Sequence, residues 1–186
     1  MKKVIRKLKS EKKQVNVLDI GTGTGLLSMM AVKCGADTVT ACEAFKPMID
    51  VALKCIEANG MKDKIKLIPK RSTEIIMGVD MAHRANVLVT EVFDTELIGE
   101  GAISTFTHAL ENLLTKDCYV IPDNAVMYIQ VVESNVCHDW NWLDLNKYNL
   151  KVPLEYKKLG GDSILDVQLT QFKEFKPLTE PLVAFE

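Results

Sequence analysis

Short apolar runs alternate with helical patterns along the first two-thirds of this chain. The apolar runs predict buried strands at 15–20, 38–44, 64–70 and 86–93. Between and after them, apolar residues recur at helical spacing and predict helices at 26–34, 47–59 and 101–114. Gly35 and Gly60 stand just past the first two helices, and Pro47 lies in the first turn of the second, which are the usual places for these residues.

Alternating strands and helices favour one parallel sheet with helices on both faces. The expected fold class is therefore α/β and Rossmann-like, with a ligand bound at the carboxyl ends of the strands. The basic start of the chain has Val4, Ile5 and Leu8 at helical spacing. It predicts an amphipathic helix packed at the sheet edge, with a localisation signal or a nucleic-acid-binding arm as the alternatives.

The pattern changes after "CYVIPDNA", so we place a domain boundary at Pro122. The first predicted domain spans 1–122 and the second 123–186. The segments "AVMYIQVVES" and "SILDVQLTQF" alternate like antiparallel strands, and "PLVAFE" resembles a further strand. The stretch at about 134–160 contains two tryptophans and no clean period, which predicts an arm inserted into a β-rich domain.

Composition excludes several classes of protein. Hydrophobic residues make up 47% of the chain and charged residues 26%, as in a globular domain, and no apolar run reaches the length of a membrane span. The start has no signal-peptide pattern, so a cytoplasmic or nuclear location is expected. Five cysteines without a CxxC pair predict reduced thiols, and with three scattered histidines they predict no metal site.

Charge is distributed unevenly along the chain. Residues 1–13 hold seven basic residues and one acid, whereas the whole chain has a net charge of −2. The residues after position 13 therefore carry a net charge of about −8. An acidic body disfavours direct nucleic-acid binding and suits a cationic substrate.

The segment "VLDIGTGTGLL" predicts a nucleotide-like ligand after the first strand. Gly21, Gly23 and Gly25 let the backbone approach a ligand closely. A dinucleotide site prefers G-x-G-x-x-G, whereas here Leu26 takes the third small position. Asp19 would repel a pyrophosphate but attract the ammonium and sulfonium of S-adenosylmethionine (SAM). The pattern favours SAM over NAD, and a purely structural glycine turn is the remaining alternative.

Residues after the next two strands extend this predicted site. Glu43 follows Asp19 by 24 positions and is placed to accept the ribose hydroxyls, a role that NAD and SAM sites share. Ser72 and Thr73 follow the third strand, where an adenine edge would lie. The predicted cofactor-binding set is completed by neighbours in the same segments: Thr22, Leu26 and Ala44.

Two acids in "TEVFDTELIGEG" predict the catalytic chemistry. Glu91 ends the fourth predicted strand and Glu100 follows nine residues later, and we expect both at the same sheet edge. We expect Glu91 to be buried and therefore to need a cation. A guanidinium matches two convergent carboxylates through bidentate bonds, which would aim one nitrogen at the SAM methyl group. A solvated acidic loop is the alternative.

These motifs resemble those of the protein arginine N-methyltransferases. "VLDIGTGTGLLSMMA" is similar to their SAM-binding motif, "ACEAFKPM" to their ribose-acid segment and "TEVFDTELIGEG" to their double-glutamate loop. The wording "FDTELIGEGA" is most similar to the monomethylating branch. The resemblance covers about residues 15–133.

The resemblance implies that Glu91 and Glu100 bind a substrate guanidinium and that Gly21, Gly23 and Glu43 bind SAM, with S-adenosylhomocysteine (SAH) as product. It also implies a β-barrel after the Rossmann-like domain, a dimerisation arm, and working units that are dimers or tandem pseudo-dimers. Histones or RNA-binding proteins are the implied substrates. An N-terminal helix over SAM and a Thr-His-Trp-type loop have no match, so we expect a truncated form.

Two other functions stay open from the sequence. The first is a SAM-dependent methyltransferase for another acceptor, which would not need two convergent glutamates. The second is a non-catalytic or regulatory fragment that keeps the fold without the chemistry.

Overall fold

The computed structural model describes residues 1–94, 97–140, 145–154 and 174–185. The chain divides into two compact units, Met1–Asn124 and Ala125–Glu186. The first unit contains these helices and strands: α1 (Lys2–Ser10), β1 (Asn16–Ile20), α2 (Leu26–Cys34), β2 (Thr38–Cys42), α3 (Lys46–Ala58), β3 (Ile65–Ile68), β4 (Ala85–Thr90), α4 (Ala102–His108) and β5 (Leu114–Ile121).

The first unit is built on a five-stranded sheet in the order β3-β2-β1-β4-β5. All of its pairings are parallel, and Asp19 in β1 pairs with Ala41 on one side and Val89 on the other. Strands β2 and β3 therefore lie on one side of β1, and β4 and β5 lie on the other, so the strand order reverses at β1. Ligands of open α/β sheets bind at such a switch point, outside the carboxyl ends of the strands. The predicted α/β Rossmann-like fold is confirmed.

Each face of the sheet has its own apolar cluster. On one face, Val17, Val39 and Val87 pack with the buried sides of α1, α2 and α3. On the other face, Leu18 and Leu88 pack with residues that follow β3 and α4. Neighbouring positions of one strand thus enter different clusters, as the two-residue repeat of a strand requires. Helices and loops cover both faces, as predicted.

The N-terminal helix is amphipathic, as predicted. Ile5 and Leu8 of α1 are buried, and its basic residues lie on the exposed side. The Nζ of Lys7 lies 5.3 Å from the ring centre of Tyr119 in the edge strand β5. The helix therefore lies against the sheet near the β5 edge.

Two details of the first unit differ from the sequence expectation. The predicted helix at 101–114 is α4 followed by a π-helical turn at Ala109–Leu113. The strand β5 was not predicted, because Lys116 and Asp117 interrupt its apolar run and most of its side chains are partly exposed rather than buried.

The second unit contains short antiparallel pairs in its described part. The elements are β6 (Met127–Ile129), β7 (Val132–Glu133), α5 (Asn135–Trp140), β8 (Lys176–Pro177) and β9 (Leu182–Phe185). Strand β6 pairs with β9, and β7 pairs with β8. The one strand predicted at "AVMYIQVVES" is two short strands, β6 and β7, and β9 lies within "PLVAFE" as predicted. Strand β8 was not predicted, and "SILDVQLTQF" lies outside the described residues. None of the described helices is long and apolar enough to cross a membrane.

Candidate active site

The glycine turn after β1 approaches the neighbouring strands closely. The backbone N–H groups of Gly21 and Thr22 both donate to the carbonyl of Cys42, at 3.0 and 3.1 Å. Gly21 has φ +69°, and a Cβ there would lie 3.2 Å from Val92 Cγ1. Glycine is thus required at position 21 both by its backbone conformation and by the space around it. The turn ends where α2 begins.

Asp19 lies beneath the glycine turn. Its side chain is fully buried, and Oδ2 accepts hydrogen bonds from the hydroxyls of Thr22 and Ser28, both at 2.6 Å. Burial raises the pKa of this carboxyl, and the two hydroxyls partly offset the shift. Asp19 is not among the residues that line the cavity described below, and its part in binding the cofactor stays a prediction. It ties the glycine turn to α2.

One atom of this network points to a further partner. Asp19 Oδ1 is buried and accepts no hydrogen bond from any residue that the structure describes. A buried carboxylate oxygen without a donor is costly, and a cation or a water molecule would relieve the cost. A carboxyl group beneath the glycine turn would suit a cofactor that carries an ammonium and a sulfonium.

Glu43 is held in a fixed orientation at the end of β2. Oε2 accepts a hydrogen bond from the Gly23 N–H at 3.1 Å, and Oε1 accepts one from the Phe45 N–H at 2.8 Å. A carboxylate has about four acceptor positions, so both oxygens can accept further bonds. The glycine turn and Glu43 are therefore coupled by a direct hydrogen bond. This arrangement fits the diol of a nucleoside.

A cavity of about 310 Å³ opens at the carboxyl ends of the strands, a size typical of small-molecule sites. Six of the residues predicted from the sequence line it: Gly21, Glu43, Ala44, Ser72, Thr73 and Glu100. Six others are not among its lining residues: Asp19, Thr22, Gly23, Gly25, Leu26 and Glu91. Leu26 is 58% exposed. Gly23 donates a hydrogen bond to Glu43 and Thr22 donates one to Asp19.

The expectation that Glu91 is buried is wrong. Strand β4 ends at Thr90, which is 2% exposed and donates from its hydroxyl to the carbonyl of Ile20. Glu91 follows the strand and its side chain is exposed. Burial therefore creates no need for a cation at this carboxylate, and any role for Glu91 has to rest on its place beside the glycine turn.

Glu100 lies in a loop that is held by turns on both sides. The Gly99 N–H donates to Asp94 Oδ1 at 3.1 Å, and the Gly101 N–H donates to the carbonyl of Ile98 at 3.2 Å. Gly101 then begins α4, whose Ser104 and Thr105 also line the cavity. Glu100 of the loop and Glu43 after β2 therefore border one cavity.

Sequence reasoning missed several lining residues. They are Ile20, Cys42, Lys70, Arg71, Val92, Gly101, Ser104 and Thr105. Lys70 and Arg71 directly precede the predicted Ser72. They follow the third strand as Ser72 does, and this signal could have identified them. Burial raises the pKa of the Cys42 thiol to about 12, so this thiol is uncharged at neutral pH. Among the described residues, no three His, Cys, Asp or Glu side chains are arranged to hold a metal ion.

The fold and the cavity define a class of protein, and comparison with known proteins agrees. The family model of ribosomal protein L11 methyltransferase (PrmA) matches residues 3–122, the part that contains the sheet and the cavity. The first unit is therefore a SAM-dependent methyltransferase fold.

Comparison over the whole chain identifies more similar relatives within this class of methyltransferases. Protein arginine N-methyltransferase 7 of Aedes aegypti is 52% identical over 98% of this chain, and that of Drosophila willistoni is 51% identical over 100%. Among solved structures, the Trypanosoma brucei PRMT1 enzyme-prozyme heterotetrameric complex with AdoHcy aligns with TM-score 0.63 and 28% identity. That alignment covers 70% of this chain and 39% of the solved one. Arabidopsis thaliana protein arginine methyltransferase 10 aligns with TM-score 0.62 and 26% identity, over 68% and 35% of the two chains.

The chain belongs to the protein arginine N-methyltransferase family. The L11 methyltransferase model describes the shared SAM-binding half, whereas the relatives at about 50% identity also match the second unit. The chain spans 28% of the length of these two relatives.

Proposed function

We propose that this chain is the methyltransferase core of a protein arginine N-methyltransferase that uses SAM and attaches one methyl group to an arginine guanidinium. The observation that carries the proposal is the shared cavity, in which Glu43 and Glu100 line the same space at the switch point of the sheet. Glu43 is suited to bind a nucleoside, and Glu100 is suited to bind a cationic substrate. The likeness of "FDTELIGEGA" to the monomethylating branch supports a single methylation.

In this proposal, SAM supplies an electrophilic methyl group on a sulfonium. Glu43, oriented by the N–H groups of Gly23 and Phe45, binds the ribose hydroxyls. Ser72 and Thr73 border the base, and the buried charge of Asp19 favours the cationic end of the cofactor. These contacts set the direction in which the methyl group points.

Glu100 acts on the acceptor. Its carboxylate binds the guanidinium by charge-assisted hydrogen bonds and localises the positive charge, so that one nitrogen keeps a lone pair toward the methyl group. Glu91 is proposed as the second carboxylate, reached from the solvent-exposed side of the site. Transfer of the methyl group would break its bond to the sulfonium and leave SAH as a neutral thioether. The proton lost from the methylated guanidinium would pass to one of the two carboxylates.

The proposed substrates are arginine-containing proteins, with histones and RNA-binding proteins as candidates. Pairing with a second methyltransferase module, in a dimer or a pseudo-dimer, is part of the same proposal. A likeness to a heterotetrameric complex supports it.

The test combines binding and transfer on the full 186-residue chain. Calorimetry with SAH should give saturable binding, and Glu43→Ala should weaken it at least tenfold because two charge-assisted hydrogen bonds are lost. Glu100→Gln should keep SAH affinity within about threefold and abolish methylation of an arginine-rich peptide, since its effect falls on the acceptor. Mass spectrometry of the product distinguishes one methyl group from two.

The matched control is Glu57→Gln, which changes an exposed glutamate of α3 away from the cavity. It should alter neither binding nor transfer. Methyl transfer that survives Glu100→Gln would show that the acid of the loop does not bind the acceptor. Binding of SAH without any transfer by the parent chain would favour the non-catalytic alternative.

A further inference from the structure

The segment that follows β3 is closed by an ion pair at the edge of the cavity. Lys70 lines the cavity, and its Nζ lies 2.9 Å from both Oδ1 and Oδ2 of Asp80. The Asp80 side chain is 13% exposed and that of Lys70 is 38% exposed. Asp80 is thus mostly shielded from solvent, whereas Lys70 is more exposed and borders the cavity.

Asp80 also holds the tight turn from which it projects. The Ile76 N–H donates to Asp80 Oδ2 at 2.9 Å, and the Asp80 N–H donates to the Ile76 carbonyl at 2.8 Å. Lys66 Nζ donates to the Asp80 carbonyl. Lys70 and the Ile76 N–H together lower the pKa of the Asp80 carboxyl, so it is ionised at neutral pH. One carboxylate therefore fastens both ends of the segment.

The closed segment contains one wall of the cavity. Arg71, Ser72 and Thr73 lie between Lys70 and Ile76, and all three line the cavity. Ile75 and Met81, at 5% and 3% exposure, anchor the segment in the apolar cluster beneath it. The side facing the core is held by apolar packing, and the side facing the cavity is held by the ion pair.

We propose that Asp80 is a positioning residue for the cofactor site, acting through Lys70 and Ile76 to hold residues 71–73 against the nucleoside end of SAM or SAH. The inference rests on the proposed function, because it names the ligand of the same cavity. Asp80 touches no reacting atom. Its carboxylate neutralises the ammonium of Lys70, so the wall beside the base is ordered and carries no unpaired charge at that position.

The test compares four variants by calorimetry with SAH: Asp80→Asn, Asp80→Ala, Lys70→Met and the double variant Lys70→Met with Asp80→Asn. Asp80→Ala should weaken SAH binding about tenfold, since it removes both the ion pair and the bond to Ile76. Asp80→Asn and Lys70→Met should each reduce SAH affinity by less than Asp80→Ala does. The double variant should reduce it by no more than the larger of these two single effects, because the two residues act as one pair. Glu57→Gln is the control, since it removes an exposed ion pair with Lys62 of the same 2.9 Å length. It should leave affinity within about twofold.

A second measurement separates positioning from general loss of structure. Hydrogen exchange of the Ile76 amide should speed up in Asp80→Ala and stay slow in Asp80→Asn, whose side-chain oxygen still accepts that N–H. If the parent binds SAH and both Asp80→Ala and Lys70→Met bind it equally well, the inference is overturned while the proposed function stands. If the parent chain does not bind SAH at all, the cofactor role fails and the inference fails with it. Should Asp80→Ala not fold, parent-like affinity of Lys70→Met overturns the inference.

Discussion

Asp19 and Asp37 carry the same carboxyl group in opposite environments. Burial raises the pKa of Asp19 above its ordinary value of 3.8, so ionised Asp19 opposes folding at neutral pH. Asp37 lies at the surface, where Lys9 and the Val15 N–H lower the pKa of its carboxyl, so ionised Asp37 favours folding. The two residues therefore contribute opposite slopes to the dependence of stability on pH.

A pair of matched variants tests these slopes. The stabilisation from Asp37 is present above its unfolded-state pKa and is lost as the pH falls, so Asp37→Asn should be most destabilising at about pH 7 and least at about pH 3. The penalty from Asp19 develops as the pH rises above 3.8, so the stability of Asp19→Asn relative to the parent should improve between the same two pH values. Urea unfolding at both pH values measures the two differences, and slopes of the same sign would contradict the assigned causes.

At the scale of elements, the contact between α2 and α3 depends on Gly25. Gly25 begins α2 with φ +84°, and a Cβ there would lie 3.1 Å from Ile56 Cγ1 in α3. Gly35, which ends α2 with φ +98°, has open space around it. The two glycines share a backbone conformation but differ in crowding.

This difference predicts unequal costs for the same substitution. Gly35→Ala should lower the free energy of unfolding by about 1–2 kcal/mol through left-handed strain alone. Gly25→Ala should lower it by about 2–4 kcal/mol, because overpacking against Ile56 adds to the strain. Urea unfolding of the two variants gives the comparison, and equal losses would show that Ile56 moves aside without cost.

At the scale of the whole molecule, the described core and the cavity both belong to the first unit. Every buried apolar residue of the described chain lies at or before Leu114, and all lining residues of the cavity lie between Ile20 and Thr105. The second unit exposes much of its apolar surface in the described part, including Tyr128, Val183 and Phe185.

A chain ending at Asn124 should therefore fold and bind SAH within about threefold of the full chain. Circular dichroism and calorimetry measure the two properties, with Glu43→Ala in the shortened chain as the control for site-specific binding. An unfolded fragment, or a folded one without SAH affinity, would show that residues after Asn124 contribute to the site.

Periodicity alone identified strands β1 to β4 and the helices α2 and α3 between them. Gly35 ends α2 and Pro47 lies in the first turn of α3, as expected from the backbone preferences of these residues. The predicted division at Pro122 and the arm at about 134–160 stay predictions, although the boundary between the two compact units falls nearby, after Asn124.

The order of residues in the sequence determined which side chains come to the carboxyl edge, because each one follows a strand of a parallel sheet. Gly21, Glu43, Ser72 and Glu100 could be named for this reason. Only the tertiary structure decided what those side chains face. Asp19 turned toward α2 because alternate residues of a strand point to opposite faces, and Glu91 is exposed because β4 ends one residue before it. The pairing of Lys70 with Asp80 joins residues ten positions apart through the fold of a loop, and no periodic pattern records such a contact.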